Sequence, residues 1–281
     1  MPHELTYNSY GKGRVRVTKV VRHGDRHELF ELAVKVTLRG DFDASYTAGD
    51  NTNIVATDSI KNTVYVLAKE TDFTHMEPFA VTLAKHFVDT YPQVSTAEVD
   101  VEQPNWVRVF MDGESHDHAF TRGSGDLRTS RAVYDGTTLR HVGGLRGLEV
   151  LKTTASEFHG FVDDRYRTLR DTTDRIFATT IDATWTYLES EVDFAALHAG
   201  VKRIVLDTFA THHSLAVQQT LLAIGNAVLD AVPHVDEIRL QMPNQHRIPM
   251  NLEPFGLTNE NEIFVATDEP FGMITGTVKR G

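Results

Sequence analysis

The chain has 281 residues, of which 41% are apolar and 24% charged, a composition typical of a folded globular protein. Its 28 basic and 39 acidic residues give a net charge of −11, which argues against nucleic acid as a main partner because phosphate binding needs a basic surface. Cysteine is absent, which excludes disulfides, thiolate catalysis and cysteine-ligated metal centres. With no membrane-spanning run, signal peptide or C-terminal Ser-Lys-Leu, the sequence predicts a cytoplasmic protein without a membrane partner.

The first half of the chain predicts the element order β-β-α-α-β-β. Alternating apolar residues predict strands over 15–22 and 28–42, and His23-Gly24-Asp25-Arg26 between them predicts a hairpin turn. Apolar residues at helical spacing predict one helix after Asp58 and another over 77–90. Further strands are predicted at 96–101, 105–111 and 116–121, with two short ones flanking Asp135-Gly136.

The second half repeats this order without a close sequence repeat. The predicted strands are 148–153, 176–188, 235–241, 262–267 and 273–278, and the predicted helices are 193–211 and 214–231. Because strands come in adjacent pairs rather than alternating with helices, the pattern favours antiparallel sheets over a parallel α/β sheet. We therefore predict an α+β protein of two units, 1–140 and 141–281, each with helices on one face of its sheet.

The stretch 53–70 changes from apolar residues to Thr57-Asp58-Ser59 and then to a helical apolar stripe. Thr, Asp and Ser are the residue types whose side-chain oxygens cap a helix N-terminus, so we expect a capped helix to begin here. The free N–H groups and the dipole at such a point favour an anion or a carbonyl-rich ligand. A plain helix cap without a ligand is the alternative that this spacing leaves open.

The string VATDSIKNTVYVLAK, residues 55–69, resembles the signature of the urate oxidase family, and further likeness runs from Tyr10-Gly11-Lys12 to the C-terminal region. The resemblance implies two tandem tunnelling folds (T-folds, ββααββ) whose sheets close into a β-barrel tunnel when subunits assemble into a homotetramer. It also implies oxidation of uric acid with dioxygen and water to 5-hydroxyisourate and hydrogen peroxide. Neither a cofactor nor a metal is expected for this reaction.

The same resemblance implies a substrate-binding set. Phe158 would stack on the purine ring, while Arg175 and Gln218 would hold it from opposite ends, since a guanidinium and a primary amide match adjacent lactam groups. Val217 would contribute a backbone N–H, and Asp58 would contact the edge of the five-membered ring. Without the resemblance, Phe158 fits a core aromatic residue, Arg175 fits one partner of a surface ion pair, and Gln218 fits a solvated residue in a first helical turn.

A second set is implied for the chemistry. Lys12, Thr57 and His246 would form a proton relay, and Thr57 would also bind substrate through its backbone. Asn244 would lie above the ring where dioxygen or water sits. Pro243 predicts that the residues around Asn244 and His246 form a loop after a strand.

Two other functions fit parts of the sequence. Another T-fold enzyme acting on a purine or pterin would commonly need a metal, but His116-Asp117-His118 has no nearby carboxylate pair to complete a site. A non-catalytic purine-binding protein is the other alternative. A binding protein of this kind would be indicated by the loss of the relay residues Lys12 or His246, and both are present.

Overall fold

The structure, a computed structural model, describes residues 3–189 and 192–281. It divides into two compact units, with the division between Gly144 and Leu145. Antiparallel pairing and segregated helices confirm the α+β class. The domain limits 1–140 and 141–281 stay a prediction.

In the first unit, one sheet packs against helices that come between its second and third strands. The elements are β1 (Tyr10–His23), β2 (Arg26–Gly40), α1 (Asp43–Ala48), α2 (Thr57–Glu70), α3 (Met76–Thr90), β3 (Val94–Met111), β4 (Glu114–Tyr134) and the start of β5 (Leu139–Lys152). The strand order is β1-β2-β3-β4-β5. Alternate residues of β2, from Leu32 to Leu38, are fully buried with the apolar stripes of α2 and α3, which confirms both helical patterns.

Three features of the first unit differ from the sequence prediction. The segments 96–101 and 105–111 belong to the single strand β3, and 116–121 lies inside the long strand β4. Register shifts at Pro104/Trp106 and Arg108/Phe110 let the ladder continue past residues that suggested breaks. The short helix α1 was not predicted, because none of its residues is buried and no apolar stripe marks it.

The second unit continues with β6 (Phe177–Tyr187), α4 (Phe194–Thr211), α5 (Val217–Ala231), β7 (Val235–Gln241), β8 (Asn244–Pro249), β9 (Phe264–Gly272) and β10 (Thr275–Lys279). The strand order is β5-β6-β7-β10, and β8 pairs with β6 and β9. Trp185, Ile181 and Phe177 of β6 form a core with α4 and α5. Within the described ranges, no helix is long and apolar enough to cross a membrane.

The loop predicted around Asn244 and His246 is wrong, because these residues lie in β8. Along β6, Asp182 faces Gln241 of β7 and Thr179 faces Asn244 of β8, which is the same register on both sides of Pro243. Proline removes one N–H donor from the ladder without changing the alternation of side chains. β7 and β8 therefore follow one another along β6 as an interrupted strand.

Candidate active site

Lys12 lies on β1 opposite Val36, in a cross-strand row that is otherwise apolar. Residues directly opposite in an antiparallel pair share a face, so Lys12 shares the face of Val36, which is fully buried. A bulge between Lys12 and Val15, with Arg14 at φ 53°, keeps Val15 on that face too. β1 thus carries a half-buried lysine within the core row, between Val15 and Tyr10.

Thr57 and Asp58 are the first two residues of α2, as predicted, but neither caps it. The cap position belongs to Ala56, which makes no side-chain hydrogen bond. Asp58 instead accepts from Lys61 at 2.5 Å and Asn62 at 2.9 Å. The first backbone N–H groups of α2 therefore lack a side-chain acceptor from the cap residue.

Charges of the fold lower the pKa of the Asp58 carboxyl below its ordinary value. The hydrogen bond from Lys61 is the largest cause, and the positive charge of Lys12 adds a smaller contribution. The Asp58 carboxylate is 72% exposed, so the ion pair itself contributes little stability. Lys12 thus adds to the positive charge that acts on Asp58 at the start of α2.

In the second unit, the segment before Phe158 is bound to the loop that precedes α5. The Glu157 N–H donates to the Ser214 carbonyl at 2.7 Å, and the Ser214 N–H donates to the Ala155 carbonyl at 3.0 Å. Phe158 exchanges two backbone hydrogen bonds with Thr172, at 2.8 and 3.0 Å. The half-buried ring of Phe158 is thereby fixed at a definite place beside α5.

Arg175 lies two residues before β6, and its backbone N–H donates to the Ser156 carbonyl at 3.0 Å. Its guanidinium carbon lies 5.6 Å from the ring centre of Phe158 and 5.7 Å from that of Phe177. The buried Nε has no hydrogen-bond partner in the described part of the chain, and burial lowers the pKa of the guanidinium. The neighbouring Asp174 accepts from Thr154 instead, so the surface pair considered for Arg175 does not form.

Val217 and Gln218 begin α5, and the cap position again belongs to an alanine, Ala216, without a side-chain hydrogen bond. Val217 is buried and Gln218 is exposed. Thr220 donates to the hydroxyl of Ser214 at 2.7 Å, and both residues are fully buried. These hydroxyls bind the segment before Phe158 to the helix start through Ser214.

Asn244 and His246 lie on β8 at alternate positions, so they share a face. Asn244 lies opposite Thr179, which is fully buried, so this face of β8 points toward the core. Leu240 and Met242, which are also fully buried, precede Asn244 at alternate positions and lie on the same face. Both Asn244 and His246 are half-buried. The apolar row of β7 therefore ends in two polar side chains.

One property unites most of the predicted site residues. In the part of the chain that the structure describes, no side-chain hydrogen bond is formed by Lys12, Thr57, Arg175, Gln218, Asn244 or His246. Their backbones, in contrast, are fixed in strands, in helix starts or on Ser156. The fold thus holds donors and acceptors that it does not use itself.

The structure brings the predicted residues together in two groups. Lys12, Thr57 and Asp58 belong to the first unit, where β1 packs against α2. In the second unit, Phe158, Arg175 and the start of α5 are joined by the backbone of 155–158 and Ser214. Asn244 adjoins this group through β6, which begins two residues after Arg175.

Sequence reasoning missed the polar contacts of Glu157, the residue before Phe158. Glu157 accepts from His213 at 2.6 Å and from His159 at 2.9 Å, and these bonds, His213 first, lower the pKa of its carboxyl. Ser156 and Ser214 are fully buried although serine is usually exposed. No sequence period marks either residue, because the segment is neither helix nor strand.

His116 and His118 make contacts of a different kind in the structure. The Nδ1 of His116 accepts from the backbone N–H groups of His118 and Ala119, at 3.2 and 3.1 Å. Among the residues described, no three His, Asp or Glu side chains are grouped so as to hold a metal ion. A cavity of about 310 Å³ between β3 and β4, lined from Pro104 to Asn105 and from Arg122 to Leu127, contains none of the predicted site residues.

Comparisons with known proteins agree over nearly the whole chain. The uricase family model matches residues 8–133 and 141–275. The uricase of Arthrobacter globiformis is 46% identical over 276 residues, which are 98% of this chain and 90% of that protein. The uricase of Dictyostelium discoideum is 37% identical over 286 residues, with 98% of this chain and 97% of that protein covered.

Solved structures give the same answer for the fold. The crystal structure of the Arthrobacter globiformis uricase has a TM-score of 0.94 at 45% identity, covering 100% of this chain and 96% of that one. The urate oxidase of Bacillus sp. TB-90 has a TM-score of 0.86 at 23% identity, covering 98% of this chain and 100% of that one, which shows a shared fold.

Proposed function

Because this chain belongs to the uricase family, we propose that it oxidises urate with dioxygen as the electron acceptor. Urate, dioxygen and water react to give 5-hydroxyisourate and hydrogen peroxide. Two electrons leave the purine, dioxygen takes them up with two protons, and water supplies the new hydroxyl. Because the electrons pass from urate to dioxygen, the protein does not have to accept or store them. Its proposed tasks are to bind the substrate and to transfer protons.

Unused donor groups in both units support binding of a planar, lactam-rich anion. The guanidinium of Arg175 has a buried Nε without a partner, and it lies beside the ring of Phe158. Stacking on Phe158 buries the purine face, while Arg175 and the amide of Gln218 hold its edges. The backbone N–H of Val217 and the free N–H groups at the start of α2 donate to the remaining carbonyl oxygens.

Proton transfer is assigned to Lys12, Thr57 and His246, with Asn244 beside the dioxygen or water. This assignment is supported by the half-buried lysine within an apolar row and by two polar residues at the end of another. A general acid or base must reach its proton directly or through one water, so such groups must stay free of structural bonds. The observation that carries the proposal is therefore the set of fixed but unpaired side chains in a uricase fold.

We further assign the active protein to a homotetramer in which each site takes residues from two subunits. The two residue groups belong to different compact units, and Asp58 would contact the substrate edge from the first. Exposed apolar side chains on and around the β8–β9 hairpin support a large subunit interface; they include Ile248, Phe255, Val265 and Met273. Assembly of subunits would close the sheets into a barrel and remove their open edges.

The decisive experiment follows uric acid absorbance and oxygen uptake in parallel, with purified protein before and after exhaustive chelation. We expect equal consumption of urate and oxygen, accumulation of peroxide, and unchanged rates after chelation. Loss of activity on chelation with recovery by one added metal would contradict the cofactor-free reaction. Absence of urate loss in both samples would contradict the proposed function.

A further inference from the structure

Tyr10 lies two residues before Lys12 on β1, so both side chains share the face that α2 covers. Its ring packs edge-on against the buried Phe42, with ring centres 4.8 Å apart and planes at 83°. This contact fixes the direction of the phenol. The hydroxyl is thereby aimed past the core at the chain that leads into α2.

The hydroxyl makes two hydrogen bonds to a single residue of that chain. It accepts from the Val55 N–H at 2.8 Å and donates to the Val55 carbonyl at 3.2 Å. Val55 is only 5% exposed, so water does not readily replace the phenol at these backbone groups. Burial raises the pKa of Tyr10, which keeps the hydroxyl protonated and able to donate.

Other side chains fix α2 to β1 farther from its N-terminus. The Tyr65 hydroxyl, in the middle of α2, donates to the Arg16 carbonyl at 3.2 Å. The Lys19 ammonium donates to the Thr71 carbonyl, just after α2, at 2.6 Å. Of these contacts, the one from Tyr10 acts closest to Thr57, only two residues before it.

We propose that Tyr10 is a positioning residue whose hydroxyl sets the distance between Lys12 on β1 and Thr57 at the start of α2. The inference rests on the proposed function, in which these two residues pass protons. Tyr10 does not touch the substrate in this account. It acts through the backbone at Val55, and its loss would let the helix start shift relative to the lysine.

The test compares Tyr10→Phe with Tyr65→Phe, because each variant removes one hydroxyl that joins β1 to α2 or to the chain just before it. We expect Tyr10→Phe to lower kcat for urate by about tenfold or more, the effect of a small misplacement of reacting groups. We also expect its pH profile of kcat to shift, whereas Tyr65→Phe keeps the wild-type profile and a kcat within about twofold.

A second measurement starts from the wild-type protein and does not depend on activity. Hydrogen exchange of the wild-type protein should show a protected Val55 amide, and Tyr10→Phe should lose that protection while Tyr65→Phe keeps it. An unprotected Val55 amide in the wild type would overturn the inference even if Tyr10→Phe failed to fold. If the wild type oxidises urate and the two variants have equal kcat values and pH profiles, the inference about Tyr10 is overturned while the proposed function stands. An inactive wild type would overturn the proposed function.

Discussion

At the scale of single residues, Arg175 combines a fixed backbone with an unused guanidinium. Its N–H is held by Ser156, and its Nε is buried without a partner in the described ranges. A buried donor of this kind carries a desolvation cost that a ligand can relieve. The same reasoning does not apply to Asp58, whose carboxylate already accepts from Lys61 and Asn62.

Replacement of Arg175 by lysine should impair substrate capture although the charge is kept. Lysine cannot present paired donors in one plane, so we expect kcat/KM for urate to fall by about 2 kcal/mol, roughly 30-fold. Steady-state kinetics measure this loss. Arg203→Lys, at an arginine side chain that is 72% exposed, is the matched control and should keep wild-type kinetics. Equal kcat/KM values for the two variants would contradict the assignment of Arg175 to the binding site.

His141 on β5 should make the protein sensitive to acid. Burial lowers the pKa of His141 to about 4 from an ordinary 6.5, and its Nε2 lies 3.0 Å from the Ser130 hydroxyl. Because the pKa of His141 is lower in the folded state, only the unfolded chain binds a proton as the pH falls below 6.5. The free energy of unfolding is therefore highest above pH 6.5 and decreases as the pH falls toward 4. The shift corresponds to about 3 kcal/mol.

We expect His141→Gln to lose less stability than the wild type between pH 6.5 and 4, since glutamine keeps a polar side chain but does not titrate. Urea unfolding at the two pH values measures the difference. His23→Gln changes a histidine whose side chain is 61% exposed and should leave the pH dependence as in the wild type. Identical pH dependence in the wild type and His141→Gln would contradict the prediction.

At the scale of elements, polar site residues interrupt or end apolar rows. Lys12 interrupts such a row on β1, while Asn244 and His246 end one on β8. Strand alternation carries each side chain to the face that the helices cover, even where a bulge or a proline interrupts the strand. The elements thus place chemistry at the margin of the core, where rigidity is high and a ligand can enter.

Gly11 is needed for the close approach of β1 to β2 next to Lys12. A Cβ at this position would lie 1.8 Å from the Val36 carbonyl oxygen, so the backbone would have to move. We expect Gly11→Ala to destabilise the protein by about 2 kcal/mol in denaturant unfolding, the scale of overpacking. Gly13→Ala is the control, because nothing lies within 4 Å of its Cβ. Equal stabilities for the two variants would contradict the close approach.

At the scale of the whole molecule, the protein has a net charge of −11, whereas the proposed binding groups include the basic residues Arg175 and Lys12. An anionic substrate would be held by these local cations rather than by the overall field. The class of two tandem T-fold units predicted from the sequence is confirmed by the fold and by the uricase relatives.

Sharing of the site between subunits can be tested by mixing two inactive variants. In a mixed dimer of Thr57→Ala and Arg175→Ala chains, one shared site carries both lesions and the other carries neither. Random assembly should therefore recover roughly a quarter of wild-type activity, because about half the dimers are mixed and half their sites are intact. Co-expression with two different tags, followed by assay of the whole assembly, measures the recovery, and the tags show that mixed species are present.

The control is each variant assembled alone, which should stay inactive. If every site lay within one chain, each site would keep one lesion and mixing would restore nothing. Recovery no greater than the sum of the separate variants, with mixed assembly shown by the tags, would contradict shared sites.

The sequence by itself determined the order of the main elements and the place, around Thr57-Asp58-Ser59, where α2 begins. Periodicity is a local property, so the stripe through Ile60 and Val64 was readable without the fold. The long match in residues 55–69 likewise indicated the family, because a contiguous string of residue types needs no tertiary contact to be recognised.

Only the tertiary structure decided which polar residues are fixed and which remain free. Ser214 and Glu157 contact partners that are distant in sequence or outside any regular element, so no local pattern could predict them. The continuity of β7 into β8 depended on pairing with β6, which overrides the break that Pro243 suggests. Long-range contacts of this kind, rather than residue type, place Asn244 on the core face and bring Tyr10 to the backbone of Val55.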